Sequence, residues 1–464
     1  MVSAKVVDTV CRPTSSGEVL PVREPQTVSV TDLIDERPIT RLQVLIFVLC
    51  SLAALLDGAD SQSIGVAGPL IAAGLGLQMG SFAPAFSVGL LGAGIGALTF
   101  GGLGDRFGRK RALILAMLLM SAFTFLTAGV ASFPELLVIR FFAGLGLGGA
   151  TPCFIALAAE YSPKHRRAML TSILWAAYPL GAGVGGMLNA YLIPQFGWQA
   201  VFYIGAGLPL AAAGCMAALL PESLSYLVTR GKSPDQALSI ATRLDQTLHG
   251  RPVRLYANTE STAAVGVKQL FTEGRGTSTL LLWATMFAAF GTTTVIVLLT
   301  PTLFRASGLS LSTAALLVGL HNFVGIAGMA GSGRLIERFG RLSLVPAFGF
   351  GAVILAVLGA VASSATLSAI CMTLLALTVL VGASGGIALA ATSYPTEIRS
   401  TGVGWAMGMA RFGQVCSPLI VGLMLRWGWD AARILAVMAL LPFLAGAFCG
   451  AGRLYERAAS TGKV

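Results

Sequence analysis

The amino-acid sequence predicts an all-α integral membrane protein whose twelve transmembrane helices form two six-helix repeats. Three observations carry the prediction. Only 11% of the 464 residues are Asp, Glu, Lys or Arg against 55% hydrophobic, and the mean hydropathy of +0.80 exceeds what a water-soluble chain of this length carries. The apolar residues gather into runs of about 20, the length that crosses ~30 Å of hydrocarbon. Short motifs in the first part of the chain recur at a nearly constant distance in the second.

The elements follow in chain order. A polar stretch reaching about Arg41 contains Asp32, Asp35, Glu36 and Arg37, unlike a cleavable signal peptide, so the first apolar segment is expected to act as the insertion signal. Spans are expected near 43–71, 80–104, 111–131, 134–160, 168–193 and 198–220, then near 279–304, 311–335, 342–363, 366–394, 401–425 and 429–451. The chain thus divides into a tail (1–41), a first half (42–220), a linker (221–278), a second half (279–452) and a second tail (453–464). Glycine is abundant inside the spans, with 57 in the chain, and in lipid it lets helix backbones approach closely. Gly144, Gly146 and Gly148 in span four, and Gly181, Gly183 and Gly185 in span five, are therefore expected on packing faces.

The cations fix the expected orientation. The formal charge of +11 is spread in short clusters between apolar runs, which argues for membrane loops and against a nucleic-acid partner. Arg106, Arg109, Lys110 and Arg111 follow span two, Lys164, Arg166 and Arg167 follow span four, and Arg334, Arg338 and Arg341 follow span eight. The linker adds seven more between Arg230 and Arg275, whereas the opposite connections carry almost none beyond Arg305 and Arg426. The positive-inside rule then puts both termini in the cytoplasm.

Repetition supports the division. Arg106-Phe107-Gly108-Arg109 recurs 232 residues later as Arg338-Phe339-Gly340-Arg341, and Gly197-Trp198 recurs 231 residues later as Gly428-Trp429. Tyr161 to Arg166 recurs in spacing as Tyr394 to Arg399. Two parallel repeats rocking about a site at mid-membrane is the architecture this implies.

The stretch Gly101-Gly102-Leu103-Gly104-Asp105-Arg106-Phe107-Gly108-Arg109-Lys110 resembles the loop signature of the major facilitator superfamily. Asp57-Gly58-Ala59-Asp60 in span one is similar to the D-G-x-D signature of its aromatic acid:proton symporters, the group containing bacterial 4-hydroxybenzoate transporters. Arg140 with Gly144 to Gly148, Pro221-Glu222-Ser223, and Arg399 to Val403 with Arg411-Phe412-Gly413 extend the resemblance. It implies a monomeric carrier in a bacterial cytoplasmic membrane that needs no cofactor and imports an aromatic carboxylate with protons. Another porter of the superfamily, for sugars, organic acids or drugs, is the alternative; span five lacks the Gly-Pro pair of the drug antiporters. The resemblance also implies a gate at the cytoplasmic rim, built from Asp105, Arg109, Glu160 and Arg166 and repeated as Glu337, Arg341, Glu397 and Arg399. Asp105 is there expected to meet the start of span eleven, where the helix dipole favours an anion.

The residues themselves say what the middle of the membrane can do. Asp57 and Asp60 are three apart, hence near one helix face, and ~22–27 Å along span one. An unpaired carboxylate at that depth is costly, so it carries a proton, faces water or pairs with a cation from a neighbouring span. Arg411, ~15 Å into span eleven, offers a planar fork suited to a carboxylate; its alternative is a fixed pair with an acid of the first half, since the second half has no acid inside a span. Arg140, ~9 Å into span four, either latches onto Asp57 or Asp60 or snorkels. His321 and Asn322, ~15 Å into span eight, serve as ligands or relays, or as interhelical hydrogen bonds. The run Thr292-Thr293-Thr294 is expected to bond back to its own helix. Of the aromatics Phe154, Trp175, Tyr178, Phe290 and Trp405, Tyr178 and Trp405 are expected to wall an aromatic ligand.

Nothing suggests an enzyme or a metal site. His165, His249 and His321 are far apart, neither H-E-x-x-H nor G-x-S-x-G occurs, and Cys11, Cys50, Cys153, Cys215, Cys371, Cys416 and Cys449 show no C-x-x-C spacing.

Overall fold

A computed structural model describes residues 5–9, 26–35, 37–249, 253–257, 267–272, 274–395 and 398–460. Among the described residues twelve helices are long and apolar enough to cross a membrane: spans one to six are Arg41–Gly74, Gly80–Phe107, Arg109–Thr127, Phe133–Glu160, Lys164–Phe196 and Trp198–Leu219. Spans seven to twelve are Gly276–Ala306, Leu311–Ile336, Gly340–Val361, Ala365–Ser393, Thr401–Arg426 and Ala431–Tyr455.

Local chemistry sets the ends. Thr40 and Gln43 cap span one reciprocally, each side chain accepting from the other's backbone N–H. The repeated glycines stop helices in both halves. Gly108 (φ 108°) parts spans two and three as Gly340 (φ 59°) parts eight and nine, while Gly197 (80°) and Gly428 (77°) do so after spans five and eleven. All four lie in the positive-φ region where a side chain is strained.

Within the first half, spans two and four pack backbone to backbone, Gly144 lying on the Gly89 carbonyl and Gly148 on Ala93. Spans one and five do the same through Gly58 against the Tyr178 carbonyl, Gly181 against Leu55 and Gly185 against Ala59. A methyl at any of these would overlap the facing backbone. The second half is less uniform: π-helical turns interrupt span seven at Val295–Leu299 and span ten at Ala376–Leu380.

The halves touch from mid-membrane to the side away from the linker. Gly80 approaches the Gly422 carbonyl within 2.6 Å of where its Cβ would stand, and Ser87 Oγ donates to the Val415 carbonyl at 2.8 Å. Gly65 meets Leu298 of span seven, and Gly183 and Gly186 meet Phe323 and Gly319 of span eight. At the linker side Asp105 is 69% exposed, and Gly102 and Gly404 have open space beside them. The two halves therefore part on the linker side.

A feature absent from the sequence reading joins the first tail to the linker. Strands β1 (Lys5–Thr9), β2 (Gln26–Ser29) and β3 (Val253–Ala257) form one sheet with β3 central, antiparallel to β1 and parallel to β2. Short helices Val30–Asp35, Leu224–Arg230 and Pro234–Leu244 pack with it, and Arg37 pairs with Asp245 at 2.7 Å.

Candidate functional site

In span one Gly58 lies between the two acids, with its backbone against the Tyr178 carbonyl of span five. Asp57 is 4% exposed, its Oδ2 accepting from Thr151 of span four at 3.3 Å while Oδ1 has no partner. Asp60 is 2% exposed, its Oδ1 accepting from Thr124 of span three at 2.9 Å while Oδ2 has no partner. The two acids feel different cations. Arg411 acts on Asp57 across the boundary between the halves, and Arg140 acts on Asp60 inside the first half. Neither couple is within ion-pair distance among the described residues. Arg140 is 5% exposed with Nε and Nη1 unpartnered. It is therefore a buried charge beside a buried carboxylate rather than a snorkelling one.

Arg411 is partly buried, and its Nη1 donates to Oε1 of Gln414, one turn on, at 3.1 Å. Tyr178 of span five, whose backbone carbonyl lies against Gly58, is close enough to Asp57, Asp60 and Arg411 to feel all three charges. Asp57, Tyr178 and Arg411, on spans one, five and eleven, are thus within electrostatic reach of one another.

Other residues singled out in the sequence lie elsewhere. His321 is fully buried, and its Nδ1 meets the Met372 carbonyl of span ten at 3.0 Å. Gly319, two residues earlier and so about 200° round the helix, faces span five, which turns His321 away from the first half. Asn322 spends its amide on the Val318 carbonyl of its own helix. His321 thus faces span ten, whereas Asn322, three residues beyond Gly319, lies about 60° from the face that meets span five. Trp405 precedes Arg411 by six residues, ~9 Å along the helix and about 120° round it. It is 46% exposed and stacks on Trp283 with centroids 5.5 Å apart, on the same side as the 56%-exposed Phe412. That is the position of an aromatic at a membrane interface, not of a wall at mid-membrane. Phe154 is core, and the three span-seven threonines donate to Ala288 and Phe290 carbonyls of their own helix.

The rim of the first half forms one network. Arg109 reaches Glu160 at 2.7 Å and Asp105 at 3.2 Å, and Ser223 of the linker hydrogen-bonds Glu160. Glu222, only 5% exposed, accepts from the backbone N–H of Lys110 at 2.9 Å and so caps span three. Its carboxylate fills the space where a side chain at Gly108 would go, whereas Gly340, the glycine of the second copy, has open space beside it and is required by its positive φ alone. Tyr161, whose phenol burial pushes up, donates to the Glu222 carbonyl at 2.7 Å, and Arg230 donates to the Asp105 carbonyl at 3.2 Å. Arg166 is exposed. In the second half Arg341 is buried against Ser393, and Arg399 donates to the Tyr394 carbonyl. The side chain of Glu337, and all of Glu397 and Cys11, lie outside the described residues.

Twelve spans in two halves, parted on one side and closed on the other around a charged midpoint, define a membrane transporter and not an enzyme. The chain belongs to the major facilitator superfamily: the sequence matches the Major Facilitator Superfamily over residues 50–273 and 281–462. It is 34% identical to a 4-hydroxybenzoate transporter of Acinetobacter baylyi over 89% of this chain and 92% of that one. It is 33% identical to a gallate transporter of Pseudomonas putida over 90% and 93%. Among solved structures it is similar in fold to the xylose transporter of E. coli in a partially occluded inward-open conformation, with a TM-score of 0.66, 20% identity and coverage of 88% and 96%. A bacterial homologue of the lysosomal transporter Spinster in an inward-facing conformation matches with a TM-score of 0.68, 16% identity and coverage of 90% and 99%.

Proposed function

We propose that this protein imports an aromatic carboxylate, of the hydroxybenzoate, gallate or benzoate kind, across a bacterial cytoplasmic membrane together with protons, by alternating access. The observation that carries the reading is the Asp57–Arg411 couple: one half supplies an acid with an unpartnered buried oxygen, the other the cation that acts on it. A guanidinium that turns its fork to an incoming carboxylate leaves Asp57 without its counter-charge, and a carboxylate in that position is relieved by taking a proton. Substrate and proton therefore bind together. Asp60 with Arg140 repeats the arrangement inside the first half and makes it sensitive to a second proton. Tyr178 supplies a flat face and a hydroxyl beside the same point, and Gln414 steadies the guanidinium. The names of the relatives supply the substrate class.

The cation-rich linker side is the cytoplasmic one in this reading. The parted linker side then makes the structure inward-facing, with the Asp105 gate open. Asp105 pairs with Arg109 while exposed to water, free to reach span eleven when the rim closes. Uptake of labelled 4-hydroxybenzoate, gallate and benzoate into proteoliposomes, with and without an inward proton gradient, tests the reading. Accumulation of at least one acid that collapses with the gradient is expected; equal uptake without a gradient would overturn symport, and uptake of none of the acids would overturn the substrate class.

A further inference from the structure

Behind Asp60, on the side away from Arg411, spans one, five and six leave a small cavity. It is about 30 Å³, above the space one water needs, and Asp60, Ser63 and Asn189 are its polar lining. These three are 2%, 6% and 2% exposed. Asn189 Nδ2 donates to Ser63 Oγ at 3.4 Å, and Ser63 donates its own proton to the Ala59 carbonyl at 2.9 Å. A second Asn189 N–H, a second lone pair on Ser63 and the unpartnered Oδ2 of Asp60 are left over. A buried carboxylate oxygen without a partner beside such a space is the setting in which a protein holds a water molecule.

Ser63 lies one turn beyond Asp60 towards the far side, and Asn189 lies at matching depth in span five. Leu192 (6% exposed) and Val201 (2%) complete the lining towards the outer ends of spans five and six, while Leu188, Ile204 and Leu208 present apolar surface on the outside of the bundle. The charged groups facing Asp60 are Arg140 from span four and Asp57 on its own helix. None of the cavity's lining comes from the second half.

We propose that this cavity is a water site, and that water held there by Ser63 and Asn189 hands the proton to Asp60 from the outer side, beside the substrate path rather than through it. The step makes and breaks only O–H bonds: when Leu192 and Val201 part, a proton from outside joins the water oxygen as that water passes one of its own protons to the Asp60 carboxylate, so the water is left neutral. The inference rests on the proton-symport reading and divides its labour, giving the proton a route within the first half.

Its test uses the full chain in proteoliposomes loaded with a pH-sensitive dye, with 4-hydroxybenzoate added outside. Asn189→Leu and Ser63→Ala are each expected to slow substrate-induced proton influx, the first about tenfold, because a proton relay needs hydrogen-bond reach through one water. Substrate counterflow, which moves no net proton, is expected to stay within about twofold of wild type and serves as the folding control. Proton influx at the wild-type rate in both variants would overturn the proposal. A dependence of wild-type uptake on sodium, lost in Asn189→Leu, would overturn it in favour of a cation site. Absence of proton influx in the wild type itself would instead sink the symport reading.

Discussion

The two halves of the bundle repeat one another in course but not in charge. Spans one and four of the first half hold Asp57, Asp60 and Arg140, each at most 5% exposed, and Thr124 and Thr151 brace the acids. The matching spans seven and ten hold no charge at that depth; they hold π-helical turns at Val295–Leu299 and Ala376–Leu380. The charge of the second half is Arg411, on span eleven. The rims differ likewise: linker residues Glu222, Ser223 and Arg230 bind that of the first half. The comparison teaches a division of work. A glycine-packed half with braced carboxylates suits the proton-binding part of the proposed cycle, and a half whose mid-depth cation is held only by Gln414 and whose helices carry π-turns, frequent at functional sites, suits capture of an anion.

Arg411→Ala breaks the comparison most severely. Saturable carboxylate binding, measured by calorimetric titration in detergent, should disappear, because the anion enters mid-membrane with nothing to offset its desolvation. Arg411→Lys keeps the charge without the fork and should weaken affinity about tenfold to a hundredfold. Near-wild-type affinity in the alanine variant would move the anion to Arg140.

Asp57→Asn should abolish gradient-driven accumulation while leaving counterflow, and Asp60→Asn should lower accumulation in the same assay. If both variants concentrate substrate as wild type does, the first half is not the proton-binding half. Glu222→Ala tests the rim: it strips the cap from span three and two backbone N–H groups of a charged acceptor, and should cost about 2 kcal/mol, read as a lowered Tm in detergent. Trp405→Phe should change the KM for transport by less than about twofold, since stacking on Trp283 at the membrane surface is worth ~0.5–1.5 kcal/mol to the fold and nothing to the ligand. A tenfold rise in KM would restore Trp405 to the binding site.

Much of this was legible in the chain alone. A lipid solvent demands long apolar helices, so the number, order and approximate limits of the spans follow from hydropathy. Side chains of Asp57 and Arg411 at mid-depth follow from counting residues along a helix of fixed rise. The glycines of the packing faces follow from the need for backbones to touch where lipid gives no hydrophobic drive. Direction around each helix axis was not legible, because it depends on which neighbour lies on which side. Only the packed bundle turns His321 to Met372, sets Trp405 on Trp283, and gives Arg140 to Asp60 and Arg411 to Asp57. The linker hid two devices for the same reason: Glu222 beneath Gly108 and the sheet joining residues 5–9 and 26–29 to 253–257 are contacts between distant stretches, for which no local spacing exists to be counted. Composition and periodicity determine what each helix is; which face meets which partner is decided by packing, where removing a single methyl lets two backbones meet.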